Sequence, residues 1–290
     1  MGNTGKTWNE ILKSATEYLS SRKIEDADIV SELLAARLLN CKRLEVNLYR
    51  NKEISPQHLE AMRRGVKRAG MGEPVQYIIG EVDFLGHVFK IDRRAMIPRP
   101  ETEELVQQVL QTSDIWNNRK PVVVDIGTGC GNIVITLALN KPEALYLGID
   151  VSTEALELAR ENAVRLGVVD KVGFSSSSLS ELVEPESIDV VVTNPPYIPT
   201  EEYEKLPDKI KKYEPRIALD GGRDGINVVE SILEEVSLAL KTGGLLFMEI
   251  GATQGNAIKE LLNAWGFTDI KIIQDVMKRD RIITAKMGVM

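Results

Sequence analysis

The sequence predicts a doubly wound α/β sheet of seven strands, preceded by a small helical bundle. Three observations carry that prediction. Up to about residue 80 the apolar residues follow a helical period with no strand-like run. From residue 100 to the end, strand-like and helical segments alternate, the pattern of a Rossmann-like sheet with crossover helices. One of those strands runs straight into a glycine-rich turn that opens a helix, as in a first βα unit.

Taken in order, Thr7 and Glu10 have capping-box spacing before the amphipathic segment Trp8 to Leu19, and Asp28 to Leu39 and Pro56 to Ala69 continue the helical period. Residues 1–80 are therefore read as a helical domain. Val82 to Phe84 and His87 to Ile91, joined through Leu85-Gly86, read as a β-hairpin, which makes 81–99 a linker and 100–290 the sheet domain. Strands are expected near 121–126, 145–150, 171–175, 188–193, 244–250, 268–274 and 281–286. The opening Gly2-Asn3-Thr4-Gly5-Lys6-Thr7 imitates a phosphate loop, but it lacks the four-residue gap between glycines and the preceding strand, and reads as a flexible terminus.

Composition narrows the function classes. At 290 residues, 43% apolar and 27% charged, the chain has the make-up of a soluble globular protein long enough for two domains. No uncharged run of membrane-spanning length and no apolar signal core appears, so a cytoplasmic protein without a membrane partner is expected. Cys41, Cys130, His58 and His87 are widely separated, which supports neither a disulfide framework nor a metal site. Residues 1–82 hold 13 Lys and Arg against 11 Asp and Glu, and the remainder 23 against 32. An acidic sheet domain is poorly suited to hold a polyanion, so no direct nucleic-acid contact is expected. Arg63, Arg64, Lys67 and Arg68 cluster on one side of a predicted helix, as a solvated face or one that meets an acidic partner.

Pro121 to Ile126 reads as a buried parallel strand, and Gly127-Thr128-Gly129-Cys130-Gly131 follows it before an apolar helical segment. Asp150 ends the next strand, about 20 residues further on, where ribose recognition places an acid. An adenosine-containing cofactor is implied. The Gly-x-Gly-x-Gly spacing is one residue tighter than the dinucleotide fingerprint, and Asp125 stands just before it. Both features disfavour a pyrophosphate and suit a nucleoside with a cationic tail. Asp125 either faces that tail or caps the loop.

Asn194-Pro195-Pro196-Tyr197 follows the apolar run Ile188 to Thr193 and so occupies a strand's carboxyl end, where open α/β sheets bind ligands. Each proline lacks a backbone donor and holds its predecessor extended, making the tetrapeptide a stiff bracket of acceptors. The Asn194 side-chain carbonyl and the Pro195 main-chain carbonyl suit a nitrogen bearing two hydrogens, and Tyr197 offers a flat ring to a planar group. The bracket fits an amide or an exocyclic amine.

With these motifs in view, the sequence resembles the HemK-type protein-glutamine methyltransferases. The resemblance spans nearly the whole chain and includes Gly72 to Ile78, Ile97-Pro98-Arg99-Pro100-Glu101-Thr102, Tyr213-Glu214-Pro215-Arg216, and Ala218 to Gly225 with its Gly221-Gly222 pair. It implies S-adenosylmethionine as cofactor, peptide chain release factors as protein substrate through the glutamine of a Gly-Gly-Gln motif, a monomer, and an antiparallel last strand. On this reading Gly127, Thr128, Gly129, Cys130, Gly131, Asp150, Ser178, Leu179 and Asn194 hold the cofactor. Asn194, Pro195, Pro196 and Tyr197 hold the substrate, and Asn194, Pro195 and Tyr197 carry the catalysis. Arg99 and Glu101 would form a lid over the methionine portion, or else belong to a proline-rich linker that starts a helix. The family usually has an acidic residue after the third strand of the sheet domain, where this chain has Ser177-Ser178-Leu179; a Ser178 hydroxyl would replace that acceptor. A nucleic-acid amine methyltransferase would use the same bracket but calls for a basic groove. A dehydrogenase would explain the glycine loop and Asp150 and leave the bracket without a role.

Overall fold

The computed structural model describes residues 5–117 and 120–289, which divide into two compact units. Residues up to Glu81 make the first, together with the distant segment Pro207–Tyr213. Its helices are Trp8–Ser21, Ala27–Leu39, Pro56–Gly70 and the short Val75–Ile79, with a 3-10 helix over Arg43–Tyr49. The capping box forms: the Thr7 hydroxyl accepts the Glu10 N–H at 3.3 Å while the Glu10 carboxylate accepts the Thr7 N–H at 2.7 Å, a cap that stabilises a helix by about 1 kcal/mol. Trp8, Leu12 and Ala15 then share one face and pack with Leu34, Met62 and Val75 in a common core.

Two expectations change in this unit. The Ile54 N–H donates to Lys6 O at 2.9 Å and Thr7 bridges Glu53, so residues 6 and 7 are held in place rather than flexible; Gly2, Asn3 and Thr4 lie outside the described residues. The helix Asp208–Tyr213 belongs here although it sits within the stretch read as sheet domain, with Lys209 Nζ bonded to Glu25 at 2.8 Å.

The hairpin of β1 (Glu81–Phe84) and β2 (His87–Lys90) forms as expected and buries Phe84 and Phe89 in the second unit's own core. The sheet comprises β3 (Val122–Ile126), β4 (Leu145–Ile149), β5 (Val172–Ser175), β6 (Ile188–Thr193), β7 (Leu240–Glu249), β8 (Phe267–Gln274) and β9 (Asp280–Met287), in the order β5-β4-β3-β6-β7-β9-β8. The last strand, β9, runs antiparallel to both neighbours, as the resemblance implied. Successive residues of the central strands serve opposite faces. Val123, Val190, Val192 and Phe247 share a core with Leu105, Val109, Ile133 and Leu137, while Val124, Val191, Leu246 and Met248 share one with Val229, Leu233, Ile258 and Leu262. Covered on both sides, β6 is buried at every residue, which is why it reads as a continuous apolar run.

Register positions the site. Ile126 pairs with Ile149 on one side and Thr193 on the other, and Thr193 pairs with Met248. One residue beyond that row, at the carboxyl ends of four parallel strands, stand Asp150, Gly127, Asn194 and Glu249. Strand order reverses between β3 and β6, so the crevice where such sheets bind ligands opens at Gly127 and Asn194.

Candidate active site

The glycine loop is closed by its own backbone. The N–H groups of Gly127 and Thr128 both donate to Ile149 O, at 2.8 and 2.9 Å, and that of Gly131 to Thr128 O at 2.8 Å. The Gly129 N–H donates to Asp150 Oδ2 at 2.8 Å. With these four donors engaged, the loop does not present the amide nest of a phosphate site, in keeping with its tight spacing. Gly131 has a packing reason to be glycine: its φ is +83°, and a Cβ there would lie 2.7 Å from Ile135 Cδ1 and 3.2 Å from Ala159 Cβ.

Two carboxylates stand behind this loop. Asp125 is wholly buried and accepts the Thr128 hydroxyl at 2.6 Å, so it caps the loop and takes no part in the cavity wall. Burial pushes its carboxyl up to about 7, against the bonds from Thr128 and the Val134 backbone, and the nearby Asp150 charge raises it further. Asp150 reaches the cavity, and its oxygens accept the N–H groups of Gly129 and Ser152, the latter at 2.9 Å. Burial raises its carboxyl as well, and the two backbone bonds oppose the rise.

At the end of β6, the Asn194 side-chain nitrogen donates to Thr102 Oγ1 at 3.0 Å, which leaves the carbonyl Oδ1 as the end of the amide available to a ligand. Thr102 in turn donates to Glu249 Oε2 at 2.7 Å. Tyr197 departs from its expected place. Its hydroxyl donates to Glu249 Oε1 at 3.3 Å and its ring is no part of the cavity wall, because a buried phenol needs a partner and finds one in this carboxylate. Burial and the Glu249 charge raise the phenol above its ordinary value.

The other motifs brace the bracket. Ile198 and Asp220 form a β-bridge, with the Gly221 N–H donating to Ile198 O at 2.8 Å. A Cβ on Gly221 would lie 2.6 Å from Pro196 O and 2.9 Å from Tyr197 Cα, so only glycine lets this loop press on the bracket. Gln254 Nε2 fastens both, donating to Tyr197 O at 2.9 Å and Gly225 O at 3.1 Å. Arg99 is engaged with the buried Glu214, which also accepts the Ile97 N–H at 3.3 Å. That pair ties two motifs together, and neither Arg99 nor Glu101 lines the cavity as a lid would.

The resulting cavity has a volume of about 530 Å³. Of the residues singled out from sequence, Gly127, Thr128, Gly129, Cys130, Asp150, Ser178, Leu179, Asn194, Pro195 and Pro196 line it; Gly131 and Tyr197 do not. Thr102 and Glu235 line it without having been assigned a role. Glu235, on the helix Asn227–Ala239, accepts the Leu179 N–H, so a carboxylate from another element stands beside Ser178-Leu179. Among the described residues no group of three or more His, Cys, Asp or Glu is arranged to hold a metal ion, and no helix is long and apolar enough to cross a membrane.

Sheet order, glycine loop and crevice define a Rossmann-like α/β protein with a ligand site at the carboxyl ends of its strands. The crystal structure of a methyltransferase from Pyrococcus furiosus shares the fold, with a TM-score of 0.52 at 20% identity over 71% of this chain and 91% of that one. A PrmC N-terminal domain model matches residues 10–80 and a methyltransferase domain model residues 117–279. The release factor glutamine methyltransferase of Chlorobaculum tepidum is 36% identical, covering 95% of this chain and 96% of its own, and that of Geobacter sulfurreducens is 34% identical, covering 97% of each. The chain belongs to the release factor glutamine methyltransferase family, and it is a methyltransferase.

Proposed function

We propose that the protein transfers a methyl group from S-adenosylmethionine to the side-chain amide nitrogen of a glutamine in a peptide chain release factor, in support of translation termination. The observation that carries this reading is the polarity of Asn194, whose nitrogen is tethered to Thr102 so that its carbonyl is left for a substrate donor. The names of the relatives point to the same substrate.

The residues present fit the cofactor. A cavity of about 530 Å³ is the size of a small-molecule site, its wall carries the Asp150 carboxylate, and its loop amides are already bonded, as suits a ligand without phosphate. Bound S-adenosylmethionine would supply a methyl group made electrophilic by a sulfonium centre, with the sulfur–methyl bond broken and neutral S-adenosylhomocysteine as the leaving group. Gly127, Thr128, Gly129 and Cys130 would border its methionine portion, Asp150 the ribose hydroxyls, and Ser178 with Leu179 the adenine.

A glutamine amide nitrogen is a poor nucleophile because its lone pair is delocalised into the carbonyl, so orientation must carry much of the catalysis. Asn194 Oδ1 and the Pro195 main-chain oxygen accept the two amide hydrogens, which aims the nitrogen and stabilises positive charge as it develops there. The stiffness of the prolines keeps that geometry prepared. The methylated amide, strongly acidic while cationic, releases its proton to water. The helical unit is assigned to recognition of the intact factor, since a second contact raises the effective concentration of a flexible glutamine loop at the cavity. A substrate in translation supports a cytoplasmic location, and the protein is read as a monomer.

Incubation with methyl-labelled S-adenosylmethionine and either release factor or nucleic acid tests the reading. Label is expected on one glutamine of the factor, and Asn194→Ala is expected to lower that turnover by about 10² to 10³. Label on nucleic acid alone would favour an amine methyltransferase of the rival kind, against which the acidic balance of residues 83–290 stands.

A further inference from the structure

Beneath the bracket runs a buried chain of hydrogen bonds drawn from distant parts of the sequence. Asn194 Nδ2 donates to Thr102 Oγ1 at 3.0 Å, Thr102 Oγ1 donates to Glu249 Oε2 at 2.7 Å, and the Tyr197 hydroxyl donates to Glu249 Oε1 at 3.3 Å. Thr102 is 2% exposed and Glu249 1%. Glu249 does not line the cavity, so it cannot touch a ligand there.

The chain has a direction, because a threonine hydroxyl carries a single hydrogen. While Glu249 is ionised it only accepts; Thr102 must spend its hydrogen on the carboxylate and can only accept from Asn194. The amide nitrogen therefore faces Thr102 and the oxygen faces the cavity. Once Glu249 takes up a proton from solvent it can donate to Thr102, whose hydrogen is then released toward Asn194. The amide is then free to turn over, presenting N–H groups where an amide substrate needs acceptors.

We propose that Glu249, acting through Thr102, is a positioning residue that sets which atom of the Asn194 amide faces the cavity, and so switches the bracket between an accepting and a donating state. The proposal rests on the reading of Asn194 as acceptor for the substrate nitrogen. The groups that face Glu249 are Tyr197 after β6, Thr102 and Glu101 on the helix Pro100–Gln111, and Arg281 on β9. Burial pushes the carboxyl up to about 7; the Thr102 bond, the Arg281 charge and the Tyr197 bond pull it down, and Glu101 raises it. The switch therefore falls close to neutral pH.

The test tracks the Asn194 side-chain NH₂ resonance of isotopically labelled full-length protein, assigned by its loss in Asn194→Asp, alongside turnover on release factor. In wild type the resonance should move with a midpoint of about 7, and turnover per enzyme should fall on the acid side of that midpoint. Glu249→Gln should abolish the movement. Thr102→Val should abolish it too and lower kcat by about 10- to 100-fold, with the KM for S-adenosylmethionine changed by less than about threefold; Thr102→Ser, which keeps the hydroxyl, should recover most of the loss. A wild-type resonance that stays fixed between about pH 6 and 8, or one that moves identically in Thr102→Val, would overturn the proposal. If the resonance titrates as expected while wild type leaves release factor unmodified, the substrate reading fails and the positioning role stands.

Discussion

Asp150 and Gly129 are bonded between the ends of two neighbouring strands: the carboxylate at the end of β4 accepts, at 2.8 Å, the N–H of the glycine loop that succeeds β3. The same side chain accepts the Ser152 N–H, so it ties the loop to the turn that opens the helix Thr153–Arg165. A residue expected to meet only the ribose thus also holds the loop proposed to border the rest of the cofactor.

Asp150→Ala should therefore weaken S-adenosylmethionine binding twice over, by removing the charged acceptor and by loosening the loop. A loss of roughly 1.5 to 3 kcal/mol per charge-assisted bond is expected by calorimetry. Faster amide hydrogen exchange at Gly129 and Ser152 should accompany it. Unchanged affinity in a folded variant would remove Asp150 from the cofactor site.

The strand-end residues of the site were legible because β6 and β3 announce themselves as apolar runs cut off by a structural breaker, proline in one case and glycine in the other. The residue just past such a run stands at the sheet's ligand-binding edge, as Asn194, Gly127 and Asp150 do. Side-chain direction was not legible. An aromatic ring two residues past Pro195 reads as a stacking platform, yet Tyr197 turns to Glu249, on a strand 52 residues away in sequence. Thr102 meets Glu249 across 147 residues and Glu235 meets Leu179 across 56, distances over which periodicity and local motifs carry no signal. The same limit hid the return of Pro207–Tyr213 to the helical unit, since a six-residue helix looks alike wherever it packs. The glycine pair at 221 and 222 stood out in the sequence, but its reason, the approach of Gly221 to Pro196 O, exists only in the fold.

Stability should depend on pH through two buried carboxyls. Asp125 and Glu249 are both pushed up to about 7, from 3.8 and 4.5, chiefly by burial. A folded-state value above the unfolded one means that the folded protein holds more protons in the interval between them. The associated stability is fully present below the unfolded values and is lost as the pH rises through about 7. Glu249→Gln should flatten its share of this slope. Urea unfolding at about pH 5 and pH 8 should show wild type losing more stability on the rise than the variant, by up to a few kcal/mol. Identical losses in the two proteins would mean that Glu249 is not protonated in the folded state at the lower pH.

The helical unit's role in recognition is testable without cutting the chain, and cutting is a poor choice because removal of residues 1–81 would strand the helix Asp208–Tyr213 that packs with them. The helix Pro56–Gly70 offers a better handle. Its Arg68 is held by Glu73 through two bonds of 2.8 Å, whereas Arg63, Arg64 and Lys67 are exposed and Arg64 has only a loose surface contact to Glu60 at 3.7 Å. Such a surface pair contributes little to stability, so charge reversal there should leave the fold intact. If this face meets an acidic surface of the factor, replacing Arg63, Arg64 and Lys67 by Glu should raise the KM for intact factor by about tenfold, mostly through slower association, and weaken its dependence on salt. Affinity for S-adenosylmethionine should not move, because the cavity is lined entirely by the other unit. A KM that is unchanged, with unchanged salt dependence, would reduce this face to a solvated surface and move factor recognition elsewhere on the molecule.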